Sequence, residues 1–231
     1  KAAQLHQRIL REGENSQADV LLTSDAGNLW RAHNDKLLQS VSSDILDSKI
    51  DSKYKDPDNY WFGLSLRARI LVYAAERVDK NKLLGYKSLA NPEFKGRVLI
   101  RSSSNIYNQS LIAHMISKYG LVEAEKWAMG LVKNFARDPA GGDRDQVKAL
   151  AAGEGDIAIV NSYYVANMMD TDKKNLFDKL RIYFPNDDFM GTHLNISGAA
   201  VLKNAPNVNN AIKFIEFLAS DEAQYIYANI N

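Results

Sequence analysis

The segment DRDQVKALAAGEGDIAIVNSYYV, residues 143–165, predicts the fold class of this chain. It begins with a helical pattern, turns at Gly153 and Gly155, and continues as an apolar strand from Ile157 to Val160. On both sides of it, strand-like and helical stretches alternate along the chain, which indicates an α/β protein with mainly parallel strand pairing. In such sheets ligands bind beyond the carboxyl ends of strands, in loops that lead into helices.

Two neighbouring tyrosines, Tyr163 and Tyr164, follow this strand directly. Adjacent side chains of a strand point to opposite faces, so the two phenols share a ligand only if the backbone turns there. Asn161-Ser162 is a turn or helix-capping signal. Taken alone, such a pair is more often one core tyrosine beside one surface tyrosine. The alternative is a pair of hard oxygen ligands for a highly charged metal ion.

A serine-rich loop, RSSSNIYN at residues 101–108, lies between a predicted strand and a predicted helix. Small polar residues at a helix N-terminus offer hydrogen-bond donors beside the positive end of the helix dipole, which is a ready anion site. Plain N-capping by Ser104 or Asn105 is the alternative. Tyr107 lies in the same segment. The candidate anion contacts are Ser102, Ser103, Ser104 and Asn105.

Arg67 and Arg69 lie two residues apart in WFGLSLRARILVYAAE, residues 61–76, which we predict to be a long strand. Their spacing places both guanidinium groups on one face. There they would line a cleft and neutralise phenolates or an anion, because arginine stays charged and forks well onto oxygen atoms. A solvated edge face is the alternative.

The remaining polar residues show no recognisable site pattern. The four histidines have no HxH or HxxxH spacing, and we expect them to be structural or surface residues. We expect Asp143 and Asp156 to be solvated charges. No Ser-His-Asp order, nucleophile elbow, phosphate loop or calcium loop is present, which disfavours an enzyme.

The composition excludes several classes of protein. Among 231 residues the formal net charge is +1, so no strong field points to nucleic acid or to an anionic membrane. The absence of cysteine excludes disulfides and thiolate metal sites. No apolar run approaches the roughly 20 residues of a membrane span, and the opening residues KAAQLHQRILREGENS lack the apolar region of a signal peptide.

Six blocks of the sequence together resemble the periplasmic ferric-ion-binding proteins of ABC iron importers, in particular the cyanobacterial-type branch that is rich in tyrosine ligands. The resemblance covers nearly the whole chain. The blocks are, in order, ADVLLTSDAGNL (18–29), WFGLSLRARILVY (61–73), LIRSSSNIYNQSLIAHM (99–115), ALAAGEGDIAIVNSYYV (149–165), NISGAAVLKNAPN (195–207) and AIKFIEFLASDEAQ (211–224).

The resemblance implies a two-lobe α/β fold of the type II periplasmic-binding-protein class, which captures Fe(III) in an interlobe cleft and is not an enzyme. It implies Tyr107, Tyr163 and Tyr164 as metal ligands, and Arg67 as a residue lining the cleft. It implies a synergistic anion such as carbonate at the serine-rich loop. The implied partner is an ABC transporter permease, and we expect a periplasmic monomer that binds no nucleic acid.

The resemblance also implies a division of the chain. We expect residues 1–66 and 199–231 to form the first lobe and 67–198 the second, with hinge crossings near 63–73 and 195–202. We expect the family's first strand, with a further ligand, and its closing helices to lie outside this sequence. Where some members of the family place a glutamate ligand, this chain has Ser24 beside Asp25.

Two other functions share this architecture. A solute-binding protein for an oxyanion, thiamine or a polyamine would have the same fold, although an oxyanion site needs donors and no cluster of phenols. An effector-sensing domain of a transcription regulator is the second alternative, and it would require a DNA-binding helix-turn-helix.

Overall fold

The computed structural model describes residues 2–171, 177–186 and 191–230. The chain divides into two compact units, one formed by Lys1–Leu66 with Asn195–Asn231 and the other by Arg67–Leu194. The second boundary therefore lies before the predicted one between residues 198 and 199, and the hinge assignment stays a prediction. None of the described helices is both long and apolar enough to cross a membrane.

The helices and strands follow the alternation that the sequence predicts. They are, in chain order, α1 (Ala2–Glu12), β1 (Val20–Ser24), α2 (Ala26–Asn34), α3 (Asp44–Lys49), β2 (Phe62–Ala74), β3 (Val98–Leu99), α4 (Ile106–Tyr119), α5 (Leu121–Lys133), α6 (Asp143–Ala151), β4 (Ile157–Asn161), α7 (Ser162–Thr171), β5 (Leu180–Tyr183), β6 (Leu194–Val201), α8 (Val208–Leu218) and α9 (Asp221–Ile230).

In the first unit, β1 pairs with β6 in antiparallel register, from Val20 opposite Val201 to Ser24 opposite Ser197. Gly198 of β6 lies directly against the backbone of β2, because a Cβ atom at this position would stand 2.2 Å from the carbonyl oxygen of Phe62. Only glycine, which has no Cβ atom, permits this approach, so the close contact explains why position 198 is a glycine.

Two helices end the chain where the sequence predicts one. The segment NVNNAIKFIEFLASDEAQYIYANI, residues 207–230, has apolar residues such as Ile212, Ile215 and Ile226 near helical spacing and so predicts one amphipathic helix. In the structure α8 ends at Leu218 and α9 begins at Asp221. The hydroxyl of Ser220 accepts a hydrogen bond from the N–H of Ala223 at 3.2 Å. A side chain that caps a new first turn in this way ends the preceding helix.

The sheet of the second unit is mainly antiparallel, which makes the expectation of mainly parallel pairing wrong for the described strands. β2 pairs antiparallel with β4, where Arg69 stands opposite Asn161, and antiparallel with β5. Among the described strand pairs of this unit, β3 with β4 is the parallel one. Alternation of strands and helices did not fix strand direction, because the long segments between strands can return the chain to either end of the sheet.

β4 is buried along its whole length and fixes the position of the residues that follow it. Ile157 and Ile159 pack into one hydrophobic cluster, with β2, α4 and α5. Ala158 and Val160 pack into a second cluster with α6 and α7. Because both faces of the strand are packed, the backbone that leaves it at Asn161 starts from a rigid support.

Candidate metal centre

Tyr163 and Tyr164 lie in the first turn of α7, which begins one residue after β4 ends. The hydroxyl of Ser162 accepts a hydrogen bond from the N–H of Ala68 at 3.1 Å and so fastens the turn to β2. The two phenol rings lie 4.0 Å apart between centroids, at an interplanar angle of 33°. Both side chains are half-buried, so the simpler alternative of one core and one surface tyrosine is not what the structure shows.

Tyr107 meets this pair from the first turn of α4, where its side chain is 8% exposed. Burial, together with the neighbouring hydroxyl groups of Tyr164 and Tyr107, raises the pKa of Tyr163 well above its usual range. The three phenols that the sequence singled out therefore lie close to one another. At neutral pH the Tyr163 phenol is uncharged.

Arg67 lies between two of these rings. Its guanidinium carbon is 5.8 Å from the ring centroid of Tyr107 and 5.3 Å from that of Tyr163. Its Nε and Nη2 atoms are buried, and among the described residues neither has a hydrogen-bond partner. A guanidinium whose donors are buried without acceptors is poised for an anionic oxygen.

Two further arginines border the phenols. The guanidinium carbon of Arg101 is 5.6 Å from the ring centroid of Tyr107, and that of Arg144 is 5.4 Å from the ring centroid of Tyr164. The sequence did not assign either arginine to the site. Arg144 is the second residue of α6 and lies twenty positions before Tyr164 in the sequence. No local sequence pattern links the two residues.

Arg69 is fully buried and lies in a polar network behind the phenols. Its Nη1 donates to Asp143 Oδ2 at 2.7 Å and to Asn161 Oδ1 at 3.1 Å, and its Nη2 donates to Asn108 Oδ1 at 2.7 Å. Burial lowers the pKa of Arg69, and the neighbouring carboxylate of Asp143 opposes that effect. A solvated edge face is therefore excluded for Arg69, and direct contact with a bound anion is not available to it.

Asp143 is the acidic centre of this network, and the expectation that it is solvated is wrong. Its side chain is 0% exposed. Besides the bond from Arg69, Oδ2 accepts from the backbone N–H of Asn161 at 2.7 Å, and Oδ1 accepts from Arg101 Nη1 at 3.1 Å. The carboxylate can lie in the interior because two guanidinium groups and a backbone donor satisfy it.

The serine-rich loop ends in an N-cap. The side chain of Asn105 accepts a hydrogen bond from the N–H of Tyr107 at 3.0 Å, so the capping alternative is present at Asn105. The hydroxyls of Ser102 and Ser104 lie 2.9 Å apart, and both residues, like Ser103, are exposed. An anion at this loop stays a prediction.

Two histidines that the sequence places far apart meet beside α4. The rings of His114 and His193 lie 5.0 Å apart between centroids, and His193 Nε2 is 3.1 Å from the Ser110 hydroxyl. Burial lowers the pKa of His193 to about 3, and the neighbouring His114 and Arg69 act in the same direction. His193 is therefore a neutral structural histidine, as expected.

Carboxylates and histidines supply no alternative metal site in the part of the chain that the structure describes, since no group of three or more His, Asp or Glu side chains could hold an ion there. Asp25 in particular is 1% exposed. It caps α2 by accepting from the N–H of Gly27 at 2.9 Å, and it accepts from Asn195 Nδ2 at 3.1 Å. Its role is structural.

Comparisons with known proteins agree on one family for this chain. The model of the bacterial extracellular solute-binding protein family matches residues 15–231. The chain is 44% identical, over 100% of its own length and 65% of the relative, to iron uptake protein A1 of Synechocystis. It is 30% identical, over 97% of the chain and 67% of the relative, to the major ferric iron-binding protein of Neisseria meningitidis. The chain thus spans about two thirds of the length of the curated relatives it matches.

Solved structures agree with this. A Trichodesmium protein, FutA, in complex with iron and citrate ligands has a TM-score of 0.93 and 49% sequence identity, covering 99% of this chain and 73% of that protein. The ferric-binding protein of Campylobacter jejuni has a TM-score of 0.91 and 41% identity, covering 96% and 72%. The predicted fold class, α/β of the periplasmic-binding type, is confirmed by these matches.

Proposed function

The chain belongs to the bacterial extracellular solute-binding proteins, as its resemblance predicted, and on that premise we propose that it binds Fe(III) through Tyr107, Tyr163 and Tyr164. The observation that carries the proposal is the proximity of three phenols, two of which lie beside Arg67, whose buried Nε and Nη2 atoms have no hydrogen-bond partner among the described residues. Membership of the solute-binding family, and the iron uptake and ferric iron-binding proteins among the relatives, support a binding protein rather than an enzyme.

The chemistry of the three phenols suits Fe(III) in particular. Fe(III) is small and highly charged, and it prefers anionic oxygen ligands. A free phenol has a pKa of about 10, but a bound cation reverses the local balance and deprotonates its ligand. Three phenolates cancel the charge of one Fe(III) ion, so the loaded centre is neutral apart from its arginines.

Arg67 acts in this proposal when a further anionic ligand joins the iron. With three phenolates and Fe(III) the centre has no net charge for the guanidinium to offset. A synergistic anion such as carbonate adds negative charge, and Nε and Nη2 of Arg67 are buried donors that have no acceptor among the described residues. Nε of Arg101, beside Tyr107, is another such donor. Ser102–Asn105 would contribute hydroxyl and backbone donors to the same anion.

The partner and compartment follow from the family. We propose that the loaded protein works in the periplasm and delivers iron to the permease of an ABC transporter. A relative from Serratia marcescens carries the description Fe(3+)-binding periplasmic protein, which supports the compartment. Binding as a monomer is part of the same proposal.

A visible absorption titration tests the function. Fe(III) supplied as its nitrilotriacetate chelate is expected to give a phenolate-to-Fe(III) charge-transfer band. Tyr163→Phe or Tyr164→Phe is expected to weaken both the band and the affinity. A colourless complex, or full affinity in the variant that carries both substitutions, would refute the proposal.

A further inference from the structure

A buried polar network connects four elements of the second unit. Arg69 of β2 donates to Asp143 at the start of α6, to Asn161 at the end of β4 and to Asn108 of α4. All four side chains are at most 5% exposed. The network is therefore part of the interior and is not accessible to a ligand.

Each end of this network is a near neighbour of a proposed ligand. Asn108 directly follows Tyr107, and Asn161 precedes Tyr163 by two residues. Asn108 also donates through Nδ2 to the carbonyl of Arg101 at 2.8 Å and to that of Ser102 at 3.2 Å. One side chain thus holds both the first turn of α4 and the serine-rich loop.

We propose that Arg69, Asp143, Asn161 and Asn108 form a positioning network that holds Tyr107 in register with the Tyr163–Tyr164 pair. This inference rests on the proposed Fe(III) function. A loop alone would leave the two ligand segments free to separate, because Tyr107 and Tyr163 belong to different helices. The shared guanidinium binds the side chains of Asn108 in α4 and of Asn161, the residue before α7, and so joins the starts of both helices to β2.

Stability alone does not account for the network. A buried ion pair loses much of its Coulomb energy to desolvation, and apolar residues of similar volume often replace such a pair without loss of stability. Apolar residues cannot replace the directional hydrogen bonds of Arg69, which hold the side chains of Asn161 and Asn108 at defined distances. The network is therefore better explained by the geometry of the phenols that it holds.

The test compares two buried asparagines of the same unit. Asn108→Leu removes the acceptor for Arg69 and the two bonds to the serine-rich loop. Asn134→Leu is the matched control: Asn134 is 2% exposed and donates to the carbonyls of Leu89 and Asn91 at 2.8 and 2.7 Å, neither of which belongs to the network. Both variants lose side-chain-to-backbone bonds in the interior.

Two quantities are measured for each variant, the thermal midpoint without iron and the affinity for Fe(III) nitrilotriacetate with the energy of its charge-transfer band. Both variants are expected to lower the midpoint by a similar amount. Only Asn108→Leu is expected to weaken Fe(III) binding, by at least about tenfold, and to shift the band. A tenfold change corresponds to about 1.4 kcal/mol.

A second variant keeps the proposal testable if Asn108→Leu does not fold. Arg69→Met with Asp143→Leu removes one positive and one negative charge together, so the net charge beside the phenols is unchanged. A folded double variant with weakened, shifted iron binding supports positioning. Native affinity and band energy in either network variant, or equal losses in Asn134→Leu, would overturn it. A wild-type protein without the band would instead overturn the Fe(III) function itself.

Discussion

Tyr163→Phe should change the pH dependence of iron binding as well as its strength. The Tyr163 phenol is protonated at neutral pH, because burial raises its pKa above the value of about 10 that an ordinary phenol has. Each phenol that binds Fe(III) must release its proton, and metal affinity therefore rises with pH. Below the phenol pKa, each ligand contributes about a factor of ten per pH unit.

The magnitude follows from the number of phenols. Three tyrosine ligands predict an apparent affinity that rises about 1,000-fold per pH unit, and two predict about 100-fold. The ratio of wild-type to variant affinity should therefore grow about tenfold per unit, and about 100-fold from pH 6 to pH 8. Each unit by which the pKa of Tyr163 is raised weakens iron binding by about 1.4 kcal/mol at a given pH. It does not alter how steeply the affinity rises with pH.

Competition with nitrilotriacetate, followed by the charge-transfer band, measures the ratio directly. The protonation of the competitor is the same for both proteins and cancels. Hydroxide that replaced the lost phenolate would also release a proton, so the band intensity per bound iron is recorded as well and should fall by roughly a third. Tyr73→Phe, a buried phenol of the same unit, is the control and should behave as wild type.

The reasoning is refuted if the affinity ratio is constant with pH and the intensity per iron is unchanged. In that case Tyr163 packs beside the site and does not bind the metal.

Three further outcomes are expected. Tyr107→Phe should lower Fe(III) affinity at least about tenfold while the unfolding free energy falls by only about 1 kcal/mol, the value of one hydrogen bond; a variant that does not fold, by circular dichroism, would instead support a packing role. Arg67→Gln should leave affinity in carbonate-free buffer nearly unchanged and abolish the gain from added bicarbonate, whereas equal losses in both buffers contradict the charge argument. Gly198→Ala should lower the unfolding free energy by about 1–3 kcal/mol in urea, because its methyl group overlaps Phe62; an unchanged urea midpoint would show that β6 shifts freely.

Local patterns predicted the elements of the fold but not their directions. The apolar run before Asn161 predicted β4, and the turn signal at Asn161-Ser162 predicted the start of α7. The direction of a strand depends on the end of the sheet to which the preceding long segment returns the chain, and no local sequence pattern indicates that end. The single predicted C-terminal helix was wrong because Ser220 can stand in a helix or cap one, and tertiary context selects the cap.

The proposed ligands were found from the sequence because each follows a strand end and the family blocks align there. Of the residues that support them, Arg69 was singled out together with Arg67, but its buried partner Asp143 was expected to be solvated. Arg69 and Asp143 are separated by 74 positions, and the sequence shows each beside other charges as on any solvated surface. Their pairing becomes visible only when β2 and α6 pack together. The available signal was that Arg69 directly precedes the apolar run of β2 from residue 70 to residue 74, which is buried.

The choice of phenols over carboxylates lets this centre fold without its metal. Three carboxylates at these positions would be charged at neutral pH, and their mutual repulsion and loss of hydration would destabilise the interior. A free phenol, with a pKa of about 10, is neutral under the same conditions, and burial raises the pKa of Tyr163 further. The charge that Fe(III) requires is created only as the ion binds and protons leave. Acid should therefore release the iron through the ligands themselves, while the packed support of β4 and the Arg69 network stays in place.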